Sequence, residues 1–258
     1  MAGIVAAILL GATSAGSTSD TLAAVSGGTP EQEALLRDVL RGIPRSQLRT
    51  VAIVNPPEEF EPADATWLEF GVAADDSVEN VRGFWQALLV AGIFRDESAK
   101  RGLPFVAGKT ITVVAQDGTV RDEAASVIDQ PLTHEIEAVS DARMHDLVRA
   151  GAARAGVLGP EVAFTRPFGR TGVEIVVRTP DAPGFIRSRG QKLVELLGSL
   201  VNRETPRAEG AYLEVRDVAG RFVTVSAYSV RTGEGVGYSD PALLEGGTGT
   251  ASFGTSLD

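Results

Sequence analysis

The hydrophobic periodicity of the chain runs through one order of elements twice, and that repetition constrains the fold more than any motif does. In the first pass a helix over Glu31–Leu40 starts at the N-cap Thr29, with Pro30 at the first helical position. Glu31 and Glu33 fall in its first turn, where negative side chains suit the helix dipole. Two strands follow: Leu48–Val54, stopped by Asn55-Pro56-Pro57, and Thr66–Ala73. A helix from Ser77 to Phe94 carries Val78, Val81, Trp85, Leu88 and Leu89 on one face. The pass closes with a strand, Thr110–Ala115, running into a Gln116-Asp117-Gly118 hairpin turn.

The second pass repeats this order. A helix over Asp141–Ala155 is followed by strands at Glu161–Arg166 and Val173–Thr179, separated by the turn Phe168–Gly172. Pro180-Asp181-Ala182-Pro183 opens a helix with Ile186, Leu193, Leu197, Leu200 and Val201 inward. The strands Ala211–Arg216 and Arg221–Val230 then flank the turn Asp217–Gly220. Trp67–Ala73 aligns with Val173–Thr179, and Asp75–Leu89 with Asp181–Glu195. The pattern predicts an α+β fold of two similar α-β-β-α-β halves, each an antiparallel sheet with helices packed on one face. Each half alone is too small to bury a generous core, so the halves pack together or extend one another's sheets.

This reading divides the chain into an apolar segment and linker (1–29), a first half (30–122), a bridge (123–140), a second half (141–244) and a flexible tail (245–258). Val127, Ile128, Leu132, Ile136 and Val139 give the bridge the character of a partly buried crossing strand. Ser14–Pro30 and Glu245–Asp258 are rich in small residues and bury too little apolar surface to offset their ordering entropy. Gly3–Leu10, followed by small residues and a processing site at Thr13-Ser14-Ala15, resembles the core of a secretory signal and is too short to span a membrane. Against that, the first basic side chain is Arg37, so a charged leader region is missing, and a buried element of the fold or a short anchor are the competing readings. Export is the expectation, with a cytoplasmic protein if the segment belongs to the fold.

Composition removes several chemistries. With no Cys in 258 residues the chain has no disulfide, thiolate nucleophile, cysteine-ligated zinc or iron–sulfur cluster, and it suits an oxidising compartment. A net charge of −10 argues against nucleic-acid binding, which needs a surplus of Lys and Arg. The glycines of Gly102–Thr110 are one residue too far apart for a phosphate loop and lead into a strand instead of a helix. Gly233–Gly237 lacks the following helix that a dinucleotide loop requires and reads as a turn. No Gly-x-Ser-x-Gly elbow occurs. His134 and His145 are the only imidazoles; Asp141 and His145 stand one helical turn apart, but Arg149 shares their face, which reads as solvated. No metal and no cofactor are expected.

Two groups of residues remain. Arg166, Arg170, Arg178, Arg187, Arg189 and Lys192 form a basic island in an acidic chain, suited to a protein or an anionic surface, including peripheral contact with a membrane or envelope. Tyr228, Tyr238 and Phe168 are aromatic candidates for the same contact. The acidic loop supplies Glu58, Glu59 and Glu61, which with His134 or Asp141 would make an acid/base site in a groove between the halves. The favoured function is a non-enzymatic, exported binding or assembly module. A carboxylate-based hydrolase or lyase is the alternative, and an intracellular phage or secretion-system component the second.

Overall fold

The computed structural model describes residues 22–43, 46–60, 65–128, 136, 139–202, 205, 207–240 and 254–255. The elements in chain order are β1 (Ala24–Gly27), α1 (Pro30–Leu40), β2 (Leu48–Val54), β3 (Thr66–Ala73), α2 (Ser77–Lys100), β4 (Val106–Val114) and β5 (Val120–Val127). They continue with α3 (Asp141–Ala155), β6 (Glu161–Thr165), β7 (Gly172–Thr179), α4 (Ala182–Leu200), β8 (Gly210–Asp217), β9 (Phe222–Ser229), β10 (Glu234–Ser239) and β11 (Gly254–Thr255). A first sheet has the order β1-β2-β3-β4-β5 and a second the order β11-β10-β9-β8-β7-β6.

The expected α+β fold of two like halves is the observed one, but each sheet is mixed instead of antiparallel, and the second carries helices on both faces; the likeness extends to the pairing. β2 and β3 run antiparallel, β3 and β4 parallel, β4 and β5 antiparallel; β6–β7, β7–β8 and β8–β9 repeat those three relations. The parallel step in each half is the one bridged by a long helix, because only a crossover returns the chain in the same direction. The hairpin after the crossover in each half breaks register at the same place, between Val113 and Val114 and between Val215 and Arg216. Each turns through a glycine of positive φ, 83° at Gly118 and 85° at Gly220. The two long helices also begin alike, with the Asp76 carboxylate accepting from the Val78 and Glu79 amides and the Asp181 carboxylate from the Gly184 amide.

Several elements depart from the sequence reading. Ala24–Gly27, assigned to a linker, pairs in parallel with β2 as an edge strand. β5 carries the pairing through to Val127, across the boundary drawn at 122/123. Glu234–Ser239, taken for a turn, is β10, paired with β9, and Gly254–Thr255 adds a short strand beyond it. α2 runs to Lys100 instead of ending at Phe94. The apolar segment Gly3–Leu10 lies outside the described residues.

α2 is the centre of the molecule. It packs on the first sheet through β2, β3 and β4, and on the second through β8, β9 and β10. The second sheet is therefore covered on both faces: Tyr212, Val225, Ala227 and Val236 join the core around α1 and α2. Ala211, Leu213 and Val215 join the core under α3 and α4. This explains why β8 is buried along nearly its whole length. The layers alternate, sheet, helices, sheet, helices, so the halves are stacked head to tail.

Charged groups on α2 fasten the stack. Near its start, Arg82 pairs with Glu174 and Glu214 and lies 4.6 Å above the Tyr212 ring. Near its end, Arg231 pairs with Asp96 and with Glu209, and Arg95 donates to Asp96 (2.9 Å) and to the Arg231 carbonyl (2.9 Å). Arg170 continues the chain of contacts to Glu97 (3.2 Å), which also accepts from Lys100. Burial works against the Arg231 charge, but Glu209 and Asp96 more than compensate and raise its pKa above the ordinary value. Lys100 and Arg170 likewise outweigh burial at Glu97 and lower its pKa.

Two outcomes follow for stability. Arg231→Leu leaves Asp96 to Arg95 and Glu209 to Arg170 Nε, 3.8 Å away, and is expected to cost about 3 kcal/mol in urea unfolding at pH 7. Gly42 sits where α1 ends against the second half, and a Cβ there would lie 1.6 Å from the Arg166 carbonyl oxygen. Gly42→Ala is expected to lower the thermal midpoint by roughly 4–10 °C, from an overpacking cost of about 2–3 kcal/mol. Gly198→Ala, in an exposed turn of α4 with open space around it, raises the midpoint slightly instead.

Candidate functional site

The site that the geometry assembles is a cavity of about 240 Å³ at the meeting of α2, β4, β5 and β10. Phe84 and Leu88 come from α2, Ile111 from β4, Ala124 from β5 and Val236 from β10, so most of the wall is apolar. Strand alternation places Lys109 on the same face of β4 as Ile111 and Val113, turning its side chain into the interior. Ser126 stands directly across on β5. Glu234 reaches in from the start of β10, on the other sheet.

These three polar groups close on one another. Lys109 Nζ donates to Ser126 Oγ (2.9 Å) and to Glu234 Oε2 (2.6 Å), and Ser126 Oγ donates to Glu234 Oε1 (3.0 Å). The Lys109 side chain is 1% exposed and that of Glu234 25%, so the carboxylate forms the solvent side of the site. A buried ammonium is tolerable only with such a partner. Among the described residues the cluster sets one cation against one anion, at the end of an otherwise apolar chamber.

The residues singled out from the sequence are dispersed. Arg166 pairs with Asp141 and stacks 4.7 Å from the Phe164 ring. Arg170 belongs to the buried network with Glu97 and Glu209. Arg178 pairs with Glu161 on the surface (2.7 Å). Arg189 donates to the Ala155 carbonyl at the end of α3 (3.1 Å), Lys192 stands near Arg154 and Glu195, and Arg187 is exposed on α4. Tyr228 packs against the core under α3 and α4, and Tyr238 and Phe168 pack against the core around α2. Glu58 and Glu59 are exposed after β2, whereas Asp141 opens α3; Glu61 and His134 lie outside the described residues. His145 borders a separate groove of about 380 Å³ beside α3 and rests edge-on against Phe164. Among the described residues no cluster of His, Asp and Glu fit to hold a metal ion is present.

No family model matches the chain, and no curated protein matches it. Among solved structures it is similar to the sex pheromone precursor from Lactobacillus salivarius subsp. salivarius UCC118, at 8% identity over 75% of this chain and 68% of that one, with a TM-score of 0.26. It is also similar to the sex pheromone staph-cAM373 precursor, at 8% identity over 81% and 82%, with a TM-score of 0.29. The central domain of yeast acetyl-CoA carboxylase aligns at 13% identity over 88% of this chain and 41% of that one, with a TM-score of 0.18. TM-scores this low transfer nothing about the site, which stands on the chain's own geometry.

Lys109, Ser126 and Glu234 were not selected from the sequence. The alternation Lys109-Ile111-Val113 was the available signal, a charge on the inward face of a strand. Its counter-charge is 125 residues away in a glycine-rich run, where nothing local announces it. The unequal burial of the pair sets its response to substitution. Glu234→Gln leaves a buried ammonium without its carboxylate and is expected to cost about 3 kcal/mol. Lys109→Met leaves a carboxylate already in reach of water and costs about 1–2 kcal/mol, so the two chemical-denaturation midpoints fall in that order.

Proposed function

We propose that this chain is a non-enzymatic binding module whose ligand occupies the chamber at Lys109. The observation that carries the reading is the chamber itself: an apolar space between two sheets, with one polar cluster at its solvent side. Concave apolar sites with a few convergent polar groups are the usual form of small-molecule pockets. The cluster favours holding over chemistry. Lys109 pairs with Glu234, and Ser126 donates a hydrogen bond to the same carboxylate, so the three polar groups satisfy one another. Export belongs to this proposal, supported by the signal-like Gly3–Leu10 and the absence of cysteine. Among the described residues no helix is long and apolar enough to cross a membrane.

The test is saturation-transfer NMR on the full chain against a set of small aromatic alcohols, amines and acids. At least one is expected to receive magnetisation from the protein, and Ala124→Phe, which fills the chamber from β5, abolishes the transfer. If none binds, or if Ala124→Phe binds the same compounds as well as the native chain, the reading falls.

A further inference from the structure

Resting on that reading, we infer that the chamber selects a small neutral amphiphile: an apolar body with one hydrogen-bond donor, an alcohol or a primary amide, of about eight to ten non-hydrogen atoms. Size comes first. An apolar cavity of about 150 Å³ holds benzene, and this one, at about 240 Å³, has room for a few atoms more. The wall around that space is Phe84, Leu88, Ile111, Ala124 and Val236, so the body of the ligand is hydrocarbon.

The head group follows from the hydrogen bonds. Glu234 Oε1 accepts from Ser126 and Oε2 from Lys109, and a carboxylate oxygen has two lone pairs. The cluster therefore still accepts a donor on the carboxylate, which reaches both the chamber and solvent.

Charge decides between a neutral and an ionic head. A ligand ammonium placed on Glu234 stands within a few ångströms of the Lys109 ammonium. A ligand carboxylate placed on Lys109 meets Glu234 in the same way. In either case the ligand's charge is opposed by one member of a pair that is already balanced, and it gives up its hydration to enter an apolar space. The ion pair thus acts as a filter against both signs. It spares an alcohol or amide, which donates its hydrogen bond without disturbing the balance.

Three isosteres with one aromatic body separate these cases: 2-phenylethanol, phenethylamine and phenylacetate, titrated calorimetrically into the full chain. The alcohol is expected to bind at least tenfold more tightly than either ion. Breaking the balance redirects the preference: Lys109→Met favours phenethylamine and Glu234→Gln favours phenylacetate, and either variant suffices if the other does not fold. A charged isostere that binds the native chain as tightly as the alcohol overturns the neutral class while leaving the chamber as a binding site. Absence of binding by all three, with Ala124→Phe making no difference to any compound tested, overturns the site itself.

Discussion

Arg231, held between Asp96 and Glu209, is the interaction on which the relation of the two halves depends. Asp96 is on the last turns of α2, built by the first half, and Glu209 and Arg231 flank strands of the second. Arg231 bridges a carboxylate of each half, so the pairing fixes how far α2 slides along the second sheet. Hydrophobic contact between α2 and the second sheet supplies attraction but little register, since burial is indifferent to small displacements. Directional pairs at both ends of the helix, Arg82 at the start and Arg231 at the end, supply it.

The chamber exists because of that register. Its walls come from both sheets and from the helix between them, and its polar cluster joins β4 and β5 to β10. A shift of α2 along the second sheet would separate Lys109 from Glu234. The site is thus a product of tertiary assembly, and neither sheet carries it alone.

That dependence explains what the sequence disclosed and what it did not. Leu48–Val54, Thr66–Ala73 and Asp141–Ala155 were legible to the residue, because caps, Pro and Gly punctuation and alternation are all local. The end of α2 was not: Arg95-Asp96-Glu97-Ser98 has the composition of a solvated turn, yet it is buried, since its partners lie far along the chain. β10 was mistaken for a turn because its glycines hide a strand whose place is fixed by pairing with β9. The basic island was a true feature of composition, but strand, turn and helix carried its members to different neighbours. The polar cluster of the chamber failed to show for the same reason as the end of α2.

Head-to-tail stacking has a consequence for the molecule's two outer faces. A two-fold arrangement closes on itself, but a stack generated by repeated translation has an open operator, and nothing in its symmetry forbids a further layer. The outward face of the first sheet is the counterpart of the face that receives α2, and the outward side of α4 is the counterpart of the side of α2 that docks. The two ends differ in chemistry from the internal junction. Counting from the aspartate caps, Gly190 and Val194 of α4 take the places of Trp85 and Leu89 of α2, so the anchors of the internal junction are not repeated outside. Matching the parallel ladders of the halves, a register one residue from the alignment of Trp67 with Val173, puts Glu69 of β3 at the place of Glu174 in β7, and Glu69 is exposed. The chain is thus a stack of two layers whose outer faces differ from the junction inside it.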